Sequence, residues 1–238
     1  MKVLLDYIFP PVCPLCQTVT PEKNTVCPTC WGKISFISPP FCAQCSLPFE
    51  AGSIDTNLLQ KCGSCLASPP SFSSARSSYV YDDFSKKLIL SFKHGSALHA
   101  APLLSQWMFA SGREILTTCD LIVPVPLYWR RLYKRGLNQA ALLVQNLGRL
   151  SKKPICLTAL KRTVHTPSQG TLSLKDRSKN VASCFKVPLK KIIENKSIVL
   201  VDDVMTTGAT LDACSKALLK NGAKDVKVLC VARVKTTS

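Results

Sequence analysis

Residues 197–211 read SIVLVDDVMTTGATL and combine an apolar run, two carboxylates, a threonine-rich turn and the start of a helix. The four apolar residues 198–201 predict a strand buried on both faces. Asp202 and Asp203 follow that run, and residues 211–220 have the apolar spacing of an amphipathic helix. This order is typical of a sugar-phosphate site. The N–H groups and dipole of a helix start attract a phosphate, and paired carboxylates accept hydrogen bonds from sugar hydroxyls.

The same segment resembles the phosphoribosyl pyrophosphate (PRPP) loop of type I phosphoribosyltransferases. The resemblance implies that Asp202 and Asp203 hold the ribose 2′ and 3′ hydroxyls. It also implies that the following turn wraps the 5′-phosphate with Thr206, Thr207, Gly208, Ala209 and Thr210. A plainer interpretation is a strand, an Asp turn and a Thr-capped helix. A cap needs only one such residue, whereas this segment supplies five.

The net charge of +17 is distributed unevenly along the 238 residues. Residues 1–72 hold four basic and four acidic side chains, which cancel, whereas residues 73–238 hold 27 basic and 10 acidic ones. All of the excess positive charge therefore lies in the second part of the chain. Such a field attracts phosphates, as in nucleotides, PRPP or nucleic acid.

Eight of the thirteen cysteines form four Cys-x-x-Cys pairs, at Cys13/Cys16, Cys27/Cys30, Cys42/Cys45 and Cys62/Cys65. No signal peptide is expected, because the short apolar run at the start is broken by Asp6. Thiols that are not exported stay reduced, so the pattern favours metal ligation over a disulfide framework and a cytoplasmic location. Iron–sulfur ligation and redox disulfides are the alternatives.

Eight thiolates in four pairs predict two structural Zn²⁺ ions with four ligands each. Sequential pairing of the Cys-x-x-Cys units closes the shorter loops and costs less entropy, whereas cross-braced pairing of the first unit with the third remains open. Each loaded site would carry a charge of −2, so residues 1–72 would become acidic. We therefore expect this module to be structural, or to dock a protein or the basic domain behind it, rather than to bind nucleic acid.

Strands alternating with helices after residue 73 predict a parallel α/β sheet flanked by helices. We expect a small zinc-ribbon domain at 1–72, a linker around 67–74 and the α/β domain at 73–238. Among the expected strands are residues 76–81, 121–126, 155–160, 184–187 and 226–231. Residues 161–179 have little apolar periodicity and predict a loop that could close over a substrate. No apolar run is long enough to span a membrane.

Residues 128–135, YWRRLYKR, concentrate four cations and three aromatic rings. They are typical of a solvated helix face, of pyrophosphate contacts, or of a surface that stacks bases and grips a phosphate backbone. We take the cations as candidate nucleic-acid contacts, namely Arg130, Arg131, Lys134 and Arg135. Single-stranded DNA is the expected polymer.

Taken together, the chain resembles the ComF family of phosphoribosyltransferase-like proteins, which are tied to DNA uptake and natural competence. The resemblance rests on the Cys-x-x-Cys pairs, on VPVP at 123–126, RGLNQ at 135–139 and RTVHTPSQ at 162–169, on Arg177 with Asn180, and on the PRPP loop. It implies a type I phosphoribosyltransferase fold, PRPP bound with Mg²⁺, and competence-machinery partners such as a helicase.

The general type I mechanism implies which residues would act on PRPP. Asp202, Asp203 and Arg177 are the catalytic candidates, and the pyrophosphate would be contacted by Pro124, Val125, Arg130 and Arg135. Magnesium would reach the protein mostly through the ligand. Two functions remain open: transfer of phosphoribosyl to an unidentified acceptor, or a non-catalytic protein that senses PRPP or handles DNA. A PRPP-sensing transcription regulator ranks lower, because no helix-turn-helix segment is evident.

Overall fold

The computed structural model describes residues 10–49, 60–93, 97–163 and 184–235, with the backbone alone at positions 131, 134 and 135. In these ranges the strands are β1 (Ser74–Val80), β2 (Leu121–Pro124), β3 (Lys161–Arg162), β4 (Phe185–Lys186), β5 (Ser197–Met205) and β6 (Asp225–Arg233). The helices are α1 (Pro28–Trp31), α2 (Gly63–Ala67), α3 (Lys86–Lys93), α4 (Ala101–Ser111), α5 (Arg113–Thr117), α6 (Trp129–Arg135), α7 (Gln139–Ser151), α8 (Lys190–Ile193) and α9 (Ala209–Lys220). A 3₁₀ turn, Leu98–Ala100, leads into α4.

A four-stranded sheet in the order β1-β6-β5-β2 forms the centre of the fold, and every neighbouring pair is parallel. The β5–β6 pairing runs from Ser197 opposite Asp225 to Met205 opposite Arg233. β3 and β4 form a separate antiparallel pair. The predicted parallel α/β sheet is therefore confirmed, and its carboxyl end is the edge where ligands bind in such folds.

The side chains of β5 alternate between two apolar layers, as the strand period requires. Ile198 and Leu200 belong to a cluster with Leu211 and Leu218 of α9. Residues on the opposite face of β5 belong to a second cluster built on α4 and α7, in which Val199 packs with side chains such as Leu104 and Leu143. Helices thus cover both faces of the sheet, which is why β5 is an uninterrupted apolar run up to Asp202.

The outer edge of β1 is covered by the segment that follows the first two Cys-x-x-Cys pairs. The Ile37 N–H donates to the Ser78 carbonyl at 3.0 Å, and the Val80 N–H donates to the Ser35 carbonyl at 2.8 Å. The Trp31 ring also packs edge-on against Trp107 of α4, with the ring centroids 5.9 Å apart. This part of the ribbon therefore closes a sheet edge that would otherwise be free to pair with other chains.

The last two Cys-x-x-Cys pairs lie on the α9 side of the molecule and share its apolar core with Phe72. The Ser71 N–H donates to Asp212 Oδ1 at 2.7 Å. The segment 67–74, interpreted from its composition as a linker, is thus held against α9. The boundary between residues 72 and 73 stays a prediction, but the expected docking of the ribbon onto the basic domain agrees with these contacts.

Two strand predictions need correction. β5 continues four residues beyond the predicted end, because Val204 and Met205 still pair with β6. Residues 155–160 do not form a strand: one parallel bridge joins Ile155 to Ile122, and the side chains of Ile155 and Leu157 are each 38% exposed. Most of the predicted loop 161–179 lies outside the described residues, and no helix in the described ranges is long and apolar enough to cross a bilayer.

Candidate functional site

A tight turn connects the carboxyl end of β5 to α9. Gly208 has φ of 81°, a conformation that favours glycine, and it is the N-cap residue of α9. Because this residue has no side chain, it offers no side-chain cap of its own, and the Ala209 N–H donates to Thr207 Oγ1 at 3.4 Å. The turn lines a cavity of about 240 Å³, whose wall includes residues 204–211, Asp202 and Arg162. The threonines at 206, 207 and 210 and the first turn of α9 thus line one concave site.

The two aspartates lie within β5 rather than after it, so their side chains leave the strand on opposite faces. Asp202 lies on the α9 face and lines the cavity of the turn together with Arg162. Asp203 lies on the other face, where Lys93 Nζ is 3.2 Å from its Oδ1. Both carboxylates line a second, adjoining cavity of about 400 Å³ that also includes Tyr81. Asp202 therefore lines both cavities, whereas Asp203 lines only the second.

The Asp202 carboxyl has a raised pKa, so that it is partly protonated near neutral pH. Burial first, and then the charge of Asp203, raise its pKa to about 7. A hydrogen bond from the Asp203 N–H to Asp202 Oδ1 (2.9 Å) and the charges of Lys93 and Arg162 oppose this rise. A strongly raised carboxyl pKa inside a cavity is typical of functional sites, where a ligand or a metal ion takes up the charge.

Two neighbouring residues of the RGLNQ motif fix the opposite wall of the second cavity. Gln139 is buried and its Nε2 donates to the carbonyl of Lys93 at 2.8 Å. Asn138 caps α7, accepting from the Ala140 N–H, and its Nδ2 donates to the Val125 carbonyl at 3.1 Å. The motif thus holds both the lysine that pairs with Asp203 and the loop after β2.

The other predicted site residues fall into three groups. Val125, with Pro126 and Leu127, lines the second cavity, and Pro124 is the buried last residue of β2. Arg130 is exposed, its guanidinium stacks on the Trp129 ring at 5.2 Å from the centroid, and it lines neither of the two cavities. Arg177 lies outside the described residues, as do the side chains of Arg131, Lys134 and Arg135.

Sequence reasoning did not assign Arg162 or Lys93 to the aspartates. Arg162 lines both cavities and stacks on Phe185, with its Cζ 5.6 Å from the ring centroid. The signal was present, since Arg162 opens the RTVHTPSQ motif and Lys93 ends a helix with a clear apolar stripe. Neither position could be brought to the carboxylates without the fold.

The eight paired cysteines form two compact clusters. We call Cys13, Cys16, Cys27 and Cys30 the first cluster, and Cys42, Cys45, Cys62 and Cys65 the second cluster. Within each cluster all sulfurs lie within 4.8 Å of one another. Tetrahedral zinc with bonds of about 2.3 Å requires sulfurs about 3.8 Å apart, so the donor sets fit one Zn²⁺ ion each. The sequential pairing is therefore confirmed over the cross-braced alternative.

The two clusters differ in their surroundings. The second cluster is buried throughout, whereas in the first Cys16 is exposed and Cys27 is partly exposed. Cys42 Sγ accepts hydrogen bonds from the N–H groups of Cys62 (3.2 Å) and Cys45 (3.5 Å). A hydrogen bond from the Cys45 thiol, and then these N–H donors, lower the pKa of Cys42, and such donors stabilise thiolate ligands. The second cluster is thus the better enclosed metal site.

Comparison with known proteins agrees with this architecture. The model of the double zinc ribbon domain matches residues 4–66, and that of the phosphoribosyl transferase domain matches residues 134–237. Competence protein F of Haemophilus influenzae is 35% identical over 89% of this chain and 91% of its own length. The chain belongs to the ComF family. The DNA utilization protein YhgH of Escherichia coli K12 is 33% identical, covering 93% of this chain and 90% of its own.

The similarity between this ComF chain and its curated relatives therefore extends over both the ribbon and the sheet. Competence protein ComFC of Bacillus subtilis is more distant, at 26% identity over 83% of this chain and 79% of its own length. Among solved structures, a purine phosphoribosyltransferase from Pyrococcus horikoshii covers 57% of this chain and 74% of its own, with 19% identity and a TM-score of 0.34. A likeness that remote carries no functional argument.

Proposed function

We propose that this ComF protein binds PRPP together with Mg²⁺ at the carboxyl end of β5 and acts in the uptake or utilisation of DNA. The observation that carries the proposal is that the aspartate pair lines a cavity together with Thr206 and Thr210, beside the start of α9 at Gly208. The N–H groups at a helix start bind a phosphate, and paired carboxylates accept hydrogen bonds from sugar hydroxyls. The proposed role in DNA is supported by the similarity to a competence protein and to a DNA utilization protein.

In this proposal the two cavities receive different parts of the ligand. The 5′-phosphate occupies the turn of residues 206–210, and the ribose hydroxyls reach Asp202 and Asp203 where the two cavities join. The pyrophosphate then extends toward the loop at Val125, with Lys93 and Arg162 as nearby cations. Magnesium is held mainly by ligand oxygens, since Mg²⁺ with phosphates keeps few protein ligands. Arg177, Arg130 and Arg135 remain candidates for the departing charge.

Calorimetric titration of PRPP with Mg²⁺ tests the proposal. We expect one ligand per chain, with binding lost or weakened at least about tenfold in Asp202→Ala or Asp203→Ala, because each removes the acceptor of a hydroxyl. Asp225→Ala is the matched control, since Asp225 opens β6 at the opposite end of the sheet. An absence of binding by the zinc-loaded chain, or equal binding by all four proteins, would contradict the proposal.

We propose that α6 contacts single-stranded DNA. Its aromatic side chains are unusually open: Trp129 is 59% exposed and Tyr133 is 90% exposed. A guanidinium stacked on an exposed indole, as Arg130 is on Trp129, presents both a flat surface and a charge. Bases stack on such rings without strong sequence preference, and the cations bind phosphates.

The DNA contact predicts a dependence on salt. The double substitution Arg130→Ala with Arg131→Ala should lower the slope of log affinity against log salt by about one to two. Trp129→Ala should weaken binding with little change of slope, since it removes stacking rather than charge. An unchanged slope in the double variant would show that α6 is not the contact.

The reduced cysteine clusters suit a cytoplasmic location, where a competence helicase is a candidate partner.

Turnover separates a transferase from a PRPP-sensing protein. Release of pyrophosphate from PRPP in the presence of candidate acceptors, absent in Asp202→Ala, would establish transfer of the phosphoribosyl group. Binding of PRPP without release, together with salt-sensitive DNA binding, would establish the non-catalytic alternative.

A further inference from the structure

One buried side chain joins the second cluster to the turn of residues 206–210, which we call the phosphate-binding turn. Arg233 is the last residue of β6 and is only 5% exposed. Its Nε donates to the carbonyl of Cys45 at 3.1 Å. Its Nη1 donates to the carbonyls of Met205, at 3.2 Å, and of Thr206. The planar guanidinium thus holds Cys45 of the second cluster on one side, and the last residue of β5 and the first residue of the turn on the other.

The charge of Arg233 indicates that this contact depends on the metal site. A guanidinium stays ionised, and burying it without a compensating charge is costly. Its hydrogen-bond partners in the described part of the chain are carbonyl oxygens and the sulfur of Cys45, which lies 3.9 Å from Nη2. Four thiolates around one Zn²⁺ ion carry a charge of −2. The loaded second cluster therefore supplies the negative charge that this buried cation needs.

We propose that Arg233 is a positioning residue that couples metal occupancy of the second cluster to the shape of the phosphate-binding turn. With the metal bound, Cys45 and its charge hold the guanidinium, and the guanidinium holds the carbonyls of Met205 and Thr206. Without the metal, the guanidinium loses its charge partner and the turn loses a fixed support. This inference rests on the proposed PRPP site, and it assigns to the second cluster a role that the first cluster does not share.

The structure provides two internal controls. The first cluster packs toward Trp107 and β1, on the other side of the sheet from the turn. Arg76 binds the same ribbon as Arg233, since its Nη1 donates to the Ala43 carbonyl at 3.4 Å and its guanidinium stacks on Phe41. Arg76 comes from β1 and pairs with Glu114, so it holds the ribbon without touching the turn.

The test compares Arg233→Met with Arg76→Met in the full chain loaded with two zinc ions per molecule. In Arg233→Met we expect PRPP affinity, measured with Mg²⁺, to fall at least about tenfold, the scale of losses when a residue that orients metal ligands is removed. We also expect faster amide hydrogen exchange at residues 206–210 without any ligand. In Arg76→Met both quantities should stay within about twofold of the parent.

A metal-directed arm uses Cys65→Ser and Cys27→Ser, which disable the second and first clusters separately. Faster exchange at residues 206–210 in Cys65→Ser alone supports the coupling. Equal effects of the two cysteine variants, or unchanged exchange and affinity in Arg233→Met, would overturn it. If Arg233→Met does not fold, Arg233→Lys is measured in its place with the same expected outcomes, because an ammonium keeps the charge but cannot span both partners.

The exchange measurement separates this inference from the proposed function. If the parent protein binds no PRPP, but amide exchange at residues 206–210 becomes faster when Arg233 is replaced, the proposed ligand is refuted and the proposed coupling is supported. A parent protein that binds PRPP, and whose turn exchanges at the same rate in Arg233→Met, would support the ligand and refute the coupling.

Discussion

Replacing Asp202 with asparagine should make the ligand-free protein more stable, and the gain should increase with pH. The carboxyl is partly buried beside Asp203, and these two causes raise its pKa to about 7. Since the pKa of an aspartate is about 4 in the unfolded chain, the ionised form costs the folded state up to about 4 kcal/mol. The carboxyl also faces an open cavity, which screens its charge, so we expect a gain of about 2 to 4 kcal/mol at pH 8.

The sign follows from the direction of the pKa change. Below pH 4 the carboxyl is protonated in both states and costs nothing. Between pH 4 and 7 the unfolded chain ionises first, so stability is lost as pH rises, and above pH 7 the loss is constant. The advantage of Asp202→Asn at pH 5.5 should therefore be about half of its value at pH 8.

Urea unfolding at the two pH values, with zinc in excess, measures this effect. The difference between variant and parent at one pH removes the contribution of the cysteine clusters, which both proteins share. Asp83→Asn is the control, because Asp83 is exposed and its hydrogen bond with Lys86 lowers its pKa. An equal gain at both pH values, or a loss of stability at pH 8, would refute the reasoning that this carboxylate is held at a cost for its ligand.

Three further predictions follow from the same contacts. Gly208→Ala places a methyl group at φ of 81° and 3.0 Å from the Met205 Cε, so urea unfolding should show a loss of about 1 to 2 kcal/mol; an unchanged stability would contradict the geometry of the turn. Lys93→Met removes a charge that lowers the pKa of Asp202, so the midpoint of that carboxyl in a carbon-detected NMR titration should move above 7; a fixed or lower midpoint would exclude the interaction. A chelator should remove zinc in two phases, which a colorimetric dye can follow. The fast phase should come from the first cluster, where Cys16 is exposed, and the slow phase from the buried second cluster. Cys13→Ser should abolish the fast phase, and a single phase in the parent protein would contradict the difference in enclosure.

The segment 197–211 carried most of what could be predicted about the fold. A run of apolar residues ending in paired acids and a glycine turn has few structural solutions, and the parallel sheet and α9 were found as expected. The four-cysteine clusters also followed from spacing, because short loops close at lower entropy cost. These signals are local, and local patterns are what a sequence displays most directly.

The errors have a common physical cause. β5 extends past the aspartates because β6 continues to offer partners at Ala232 and Arg233, which is a property of the pairing rather than of either strand. Residues 155–160 have strand-like composition but find a single bridge. Arg162, Lys93 and Arg233 reach the site from distant positions, and only the folded chain brings them to the β5 turn. Tertiary contacts of this kind leave no periodic signal in the sequence.

The central claim is that the aspartate pair and the turn around Gly208 hold an activated ribose phosphate. The most direct measurement is a crystal structure of the zinc-loaded chain grown with PRPP and Mg²⁺. We predict that the 5′-phosphate lies against residues 206–210 and that the ribose hydroxyls lie within hydrogen-bond distance of Asp202 and Asp203. A structure with the ligand bound elsewhere, or with both carboxylates engaged by protein partners and the cavity holding only water at saturating PRPP, would contradict it.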